Sequence, residues 1–263
     1  MEPLPVPNPW GAPVYFEDVL SSTMDAARAL ALRGEPHGAV ITAGFQEQGR
    51  GRVRGRSWNM NRGENLAFTV LLRCGAIPQA LTLRAGLALA LAVEEFAPAL
   101  RGAVMVKWPN DLMIAAPRPP GARKAAGILT EGGGDLVYIG IGVNVGQREF
   151  PPELGAVSLA LALEEVRGGP PGPPRALLGV ILKHLHRELE DALPWRERLE
   201  SRLFKRGEEV RFIEGPAGSG RVVEGVLTGI GPEGELLIAP KGKDPRPFVT
   251  GELEVCGPAP RKG

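Results

Sequence analysis

From Gln46 to Trp58 the chain reads Gln-Glu-Gln-Gly-Arg-Gly-Arg-Val-Arg-Gly-Arg-Ser-Trp, a stretch that no hydrophobic core can absorb. Arg50, Arg52, Arg54 and Arg56 alternate with Gly49, Gly51 and Gly55. A helix would be weakened by the glycines, and a buried strand would have to desolvate the guanidinium groups. The stretch is therefore a surface loop, and the elements around it must hold it in place. Its chemistry suits an anion, because arginine offers a planar fork of charged donors and glycine lets backbone N–H groups approach without a Cβ in the way. A solvated basic loop, or an Arg-Gly tract touching RNA, would have the same composition. Nearly free of apolar side chains and self-repelling, the loop is expected to be mobile until a ligand orders it.

The rest of the chain narrows these options. The formal net charge of 263 residues is only +1, whereas a protein binding nucleic acid through bulk charge carries a marked basic excess. The arginines are local equipment. With 43% hydrophobic and 23% charged residues, the chain has the make-up of a folded protein with a real core, sized for one main domain and a small satellite. Cys74 and Cys256 are far apart and in no metal-ligand spacing, which fits a reducing cytoplasm. The N-terminus lacks a signal-peptide pattern, and the longest apolar run, Ala85 to Val93, is about half a bilayer span, so no membrane partner is expected.

Read in order, residues 1–13 form a Pro-rich surface arm. Val14–Val19 is a short strand, and Ser21, Ser22 and Thr23 offer cap hydroxyls to a helix starting near Met24, with Ser21 as the capping residue. Ala39–Phe45 is a β-branched strand that delivers the chain into the arginine loop. Strands are expected at Asn65–Leu72, Val104–Trp108, Asp111–Ile114, Gly127–Glu131 and Leu136–Val145, with Pro117–Arg123 as a hairpin loop. Helices are expected at Gln79–Phe96, Ala176–Leu193 and Trp195–Phe204, with a loop over 164–175. His184 and His186, two apart, face different sides of their helix and read as surface residues. After Gly207 the texture changes to short β runs at Glu209–Ile213, Val222–Ile230, Glu235–Ile238 and Phe248–Val255, which read as an appended small β-barrel.

Four separated stretches carry a family resemblance. They are the arginine loop, Lys107-Trp108-Pro109-Asn110-Asp111-Leu112, Lys124-Ala125-Ala126-Gly127-Ile128-Leu129-Thr130-Glu131 and Gly140-Ile141-Gly142-Val143-Asn144-Val145. In this order and spacing they resemble the signature of biotin protein ligases. The resemblance covers residues 14–150. It implies an α+β fold: a mixed sheet with flanking helices of class II synthetase type over residues 14–204, then an SH3-like β-barrel over 205–263. It implies activation of biotin by ATP with Mg2+ to biotinyl-5'-AMP. The partner would be a biotin carboxyl carrier protein of acetyl-CoA carboxylase, whose lysine takes the biotin. A homodimer stays open.

By the same resemblance, Ser22, Thr23, Gln46, Arg50, Gly51 and Arg52 line the biotin pocket. Arg52 and Arg56 reach the phosphates, and Lys124 neutralises charge at the reacting centre. Lys107, Asn110, Asp111 and Asn144 hold nucleotide and metal, Asp111 being the metal candidate. Gly127, Gly140 and Gly142 leave a flat floor for the ureido ring system, and Trp58 covers the ligand while Trp108 packs. Taken singly, the lysines could be solvated strand ends, Asn110 and Asp111 turn residues, Asn144 a strand-end cap and Glu131 merely exposed. Two departures stand out. Val53-Arg54 fills a place where the family has one residue, and Met24 follows Ser22-Thr23 where the family often has Asn.

Lipoate protein ligases, similar in fold, are the nearest alternative enzyme, but they usually have a glycine triplet with a basic pair and a histidine in place of this loop. Some biotin ligases also repress transcription through an N-terminal helix-turn-helix. About thirteen residues precede the core here, so no DNA partner is expected. A nucleic-acid-binding module is the alternative from another class, and it would leave three of the four motifs without a role.

Overall fold

A computed structural model describes residues 1–53, 55–117, 120–191, 193–215 and 220–254. Arg54 and Cys256 lie outside the described residues, as does the end of the Phe248–Val255 run. The main body is built on an eight-stranded mixed sheet in the order β1-β2-β3-β4-β8-β7-β6-β5. In chain order these strands are β1 (Glu2–Pro3), β2 (Val14–Leu20), β3 (Ala39–Gln46), β4 (Leu66–Arg73), β5 (Val104–Lys107), β6 (Asp111–Pro117), β7 (Pro120–Gly133) and β8 (Leu136–Val143). Among the described strands only β2 and β3 pair in parallel, joined by the crossover helix α1 (Thr23–Leu32).

Both faces of the sheet are covered, which is why β3 and β4 read as nearly continuous apolar runs rather than as alternating ones. On β3, Val40 points into the larger core and Ile41 into the smaller, and neither is solvent-exposed. The larger core lies under α2 (Leu81–Phe96), in which Ala85, Leu87, Ala88, Leu89 and Ala90 are all buried. Helix α4 (Pro174–Glu190) packs on α2 through Leu177, Leu178, Ile181 and Leu185. The smaller core joins Met24, Ala27 and Leu30 of α1 to Ile41, Leu71 and Tyr138. Between β8 and α4 lies α3 (Leu159–Glu165), a helix the sequence reading missed although Ser158 caps it by accepting from Leu161 N–H at 3.2 Å.

Several expectations are corrected. The arm is not simply extended over the surface: Glu2–Pro3 adds an edge strand to β2, and Trp10 packs edge-on against His37 and His186. Those aromatic contacts remove His186 from the surface class, and His184 is likewise engaged, its Nε2 2.9 Å from Glu95. The hairpin over 117–123 is tighter than expected, because Arg123, Ala122 and Gly121 pair with Ile114, Ala115 and Ala116. The cap of α1 is Ser22, which accepts from Met24 N–H at 3.3 Å, not Ser21.

After α5 (Trp195–Glu200) the chain builds a second sheet in the order β12-β11-β10-β9-β13, from β9 (Glu209–Glu214), β10 (Arg221–Ile230), β11 (Leu236–Pro240), β12 (Arg246–Phe248) and β13 (Gly251–Leu253). Among the described residues this five-stranded sheet does not close into the expected barrel. Its last apolar run is cut in two before Gly251, whose φ of +148° suits glycine and where a Cβ would lie 2.3 Å from Phe212 Cζ. The second sheet is fastened to the first. Residues 202–204 lie along the β5 edge, with Val106 N–H donating to Arg202 O and Phe204 N–H to Val106 O, both at 2.9 Å. Trp108 stacks edge-on against Phe212 and donates from Nε1 to Gly234 O at 3.0 Å.

Candidate active site

One cleft gathers the start of α1, the end of β3, the arginine loop and the middle of β7 and β8. Ser22, Thr23, Gln46, Arg50, Gly51 and Arg52 line one side. Trp58, Asn110, Lys124, Gly127, Gly140 and Gly142 complete the lining. The polar floor is set by backbone geometry: β2 and β3 run parallel, so the first turn of α1 arrives beside the end of β3. Gln46 Oε1 there accepts from Thr23 N–H at 2.8 Å and Thr23 Oγ1 at 3.1 Å, and Thr23 Oγ1 accepts in turn from Thr69 at 2.9 Å. All of these side chains are buried, so the network is fixed before any ligand arrives.

The cationic side is built by the pairing of β6 with β7. Asp111 opens β6 opposite Gly127, and its carboxylate is 2.6 Å from Lys124 Nζ and 4.0 Å from Lys107 Nζ. Burial pushes the Lys107 ammonium below lysine's ordinary value, against the opposing pull of Asp111. Asn110, in the turn after the cis Trp108–Pro109 peptide, donates to Ile128 O at 2.9 Å and so ties that turn to the glycine floor. Asn144 is buried beside the cleft without lining it, its amide donating to Val157 O at 3.3 Å. Lys107, Asp111 and Arg56 are likewise not among the lining residues.

The arginine loop is a tied hairpin. Arg50 and Ser57 bridge, Trp58 N–H donates to Gly49 O at 2.9 Å, and Gly51 N–H donates to Arg56 O at 2.9 Å. Arg50, Arg52 and Arg56 are spread over separate acceptors, which answers their mutual repulsion. Arg50 reaches Asp25 at 2.7 Å, Arg52 reaches Gly251 O at 3.2 Å, and Arg56 binds both oxygens of Glu252 at 2.8 and 3.1 Å. The Arg56 bond holds the Glu252 carboxyl below the usual carboxylate range, so this tie is kept above glutamate's ordinary value and lost as pH falls through the lowered one.

Sequence reasoning missed Asp25, Gly251 and Glu252 as partners of the loop. Asp25 was legible as the acidic residue in the first turn of α1, but Gly251 and Glu252 follow some 200 residues later with no local signal. Met24, noted as a departure, lines the cleft against Gly140, and Glu131 is an ion-pair partner of Arg28.

A glycine-floored slot flanked by a hydrogen-bond network and a cluster of cations defines the class: a two-sheet α+β protein with a cleft whose chemistry suits an anion beside a flat, mostly apolar group. Residues 16–145 match the model of the Biotin/lipoate A/B protein ligase family, and the chain belongs to that family. A Bacillus subtilis protein described as a bifunctional ligase/repressor is 36% identical over 163 residues, covering 58% of this chain and 47% of that one. The Escherichia coli counterpart is 30% identical over 230 residues, covering 83% of this chain and 66% of its own length. The chain thus spans about half to two-thirds of the length of these relatives. A biotin protein ligase from Aquifex aeolicus, solved with biotin and ATP, is 27% identical with a TM-score of 0.73, covering 92% of this chain and 97% of that one. One from Leishmania major with biotinyl-5-AMP is 25% identical with a TM-score of 0.65, covering 90% and 98%. Among the described residues no helix is long and apolar enough to cross a membrane.

Proposed function

We propose that the protein is a biotin protein ligase, with residues 14–204 as the catalytic unit and 205–263 as a C-terminal unit that completes it. The observation that carries the proposal is the convergence of all four motif stretches on one cleft, where Lys124 and Lys107 share Asp111 beside the Gly127/Gly142 floor. In the first step a biotin carboxylate oxygen attacks the α-phosphorus of ATP, a P–O bond forms, and pyrophosphate leaves. Carboxylate and phosphate repel each other on approach, so preorganised cations are what the step requires. Lys124 and Arg52, which line the cleft, would supply that charge, with Lys107 joined to Lys124 through Asp111. In the second step a lysine amine of the carrier protein attacks the acyl carbon, the amide forms, and AMP leaves with the electron pair of the broken C–O bond.

Ser22, Thr23 and Gln46 offer a prearranged set of donors and acceptors for a ligand's polar edge. Asp111 would be the single carboxylate offered to a magnesium ion, which would take most of its shell from phosphate oxygens and water and would compete with Lys124 for that carboxylate. Bound with the triphosphate, magnesium would add positive charge on the leaving group. The acceptor is a biotin carboxyl carrier protein, and the reaction belongs in the cytoplasm, where ATP and that carrier meet. Incubating the protein with biotin, ATP, magnesium and a carrier domain should raise the carrier's mass by one biotinyl group. Pyrophosphate release with lipoate and not with biotin would overturn the assignment.

A further inference from the structure

The glycine floor is already covered by a group of the protein itself. A Cβ built on Gly142 would lie 2.4 Å from Trp58 Cε2 and 2.7 Å from Cζ2 and Nε1, and one built on Gly127 would lie 3.4 Å from Trp58 Cζ3. Gly127 and Gly142 are register partners on β7 and β8, so the two bare backbones form one patch, and the six-membered ring of the indole spans it. Carbon surfaces in contact stand about 3.5–4 Å apart, so a second ring placed between the indole and Gly142 would need twice that gap. There is room for one ring. The hairpin that delivers Trp58 is held at Asp25, Gly251 and Glu252, and the indole's position is therefore part of a latched arrangement. The position has a weakness, since Trp58 Nε1 is buried without a hydrogen-bond partner while the donors and acceptors of Thr23 and Gln46 stand in the same cleft.

We propose that Trp58 is a specificity-determining residue that competes with the substrate for the Gly127/Gly142 patch, so that only an acid able to replace the indole gains the slot. This rests on the biotin-ligase reading. A compact bicyclic acid with a polar edge replaces the indole's contact with both glycines and also satisfies the polar side of the cleft. An unbranched fatty acid does neither, since a thin chain covers the patch incompletely and brings no partners for Thr23 and Gln46. Opening the slot costs every acid the same factor, the fraction of molecules whose slot is open, so the preference comes from what each acid offers the opened slot and the displaced indole. After displacement the indole is free to cover the ligand from the solvent side, which joins exclusion and closure in one side chain.

The test uses the full chain and the variants W58A, W58F and W58L. Trp58 is half-buried on a hairpin outside both cores, and W58L keeps its bulk should W58A lose the fold. Association of tritiated biotin is followed by rapid filtration, and pyrophosphate release is measured with biotin and with octanoic acid. The wild type should bind biotin with an observed rate that levels off at high concentration, as slot opening becomes limiting. W58A should bind with a rate that rises linearly, and its preference for biotin over octanoate in kcat/KM should fall by about tenfold or more. W58L should lose part of the preference, and W58F, which keeps a flat ring, should stay near the wild type. A wild type that ignores biotin would defeat the functional reading itself. With an active wild type, an unchanged preference in both W58A and W58L would overturn the specificity role, and a levelling rate retained in W58A would overturn the competition.

Discussion

Replacing Lys124 by alanine separates the proposed catalytic role from a structural one, because the two carry very different magnitudes. The ion pair with Asp111 is short, 2.6 Å, but the lysine side chain is 34% exposed, and pairs of that kind contribute about 0–1 kcal/mol to stability. In a chain of this size 1 kcal/mol moves Tm by about 2–4 °C. In the proposed role of a preorganised cation facing the carboxylate and α-phosphate, the same side chain should lower the adenylation barrier by about 3–4 kcal/mol, or about 10²–10³-fold in rate. K124A should therefore melt within a few degrees of the wild type and yet release pyrophosphate from biotin and ATP at least about 100-fold more slowly. K124R keeps the charge with a different donor geometry and should fall between the two. The assay is steady-state pyrophosphate release alongside thermal unfolding by circular dichroism. If K124A kept its rate to within about fivefold while its fold was unchanged, the placement of Lys124 at the reacting centre would be wrong, because no preorganised donor is worth so little.

Three further outcomes follow from the geometry. Burial holds Lys107 below lysine's ordinary value, so its charge is lost as pH rises through that lowered value; kcat/KM for ATP should show an alkaline limb below about pH 10.4, displaced upward in K107R, and an identical limb in K107R would assign it elsewhere. Glu188 is 1% exposed and bound by both arms of Arg198 at 2.9 and 2.5 Å, so E188Q should destabilise the fold toward the lower end of about 3–5 kcal/mol, Arg198 being partly solvated; urea unfolding with no change in midpoint would contradict this. A chain ending at Arg206 removes Phe212 and Gly234 from Trp108, and Gly251 and Glu252 from Arg52 and Arg56; it should lose adenylation, and full activity in that truncated chain would show the second sheet to be dispensable.

Much of this was legible in the residue order because local chemistry constrains it. The apolar runs that became β3 and β4, and the alanine- and leucine-rich helix α2, are signalled by side chains whose burial is favourable in almost any fold. The ends of β2, β3 and β4 were placed to within one residue for the same reason, whereas β7 begins at Pro120, seven residues before the expected Gly127, because its start is set by pairing with β6. The turn chemistry of Asn110 and Asp111 and the bare backbone of Gly127 and Gly142 are likewise properties of short segments. Even so, a helix as short as α3, seven residues after a Pro-rich stretch, carries too few periodic positions to stand out.

The sequence by itself determined which groups the protein possesses for its chemistry: four motif stretches, a set of cations, a glycine floor and a tryptophan at the end of a basic loop. Only the tertiary structure decided what each group faces. Pairing of β6 with β7 placed Asp111 between two lysines, and a parallel crossover set Thr23 against Gln46. A sheet some 200 residues further along supplied Glu252 to Arg56, and the hairpin laid Trp58 over Gly142. The physical reason is range. Propensity and periodicity act over a few residues and can be read in one dimension, whereas an ion pair or a ring contact acts over a few ångströms between segments that only the packed core brings together.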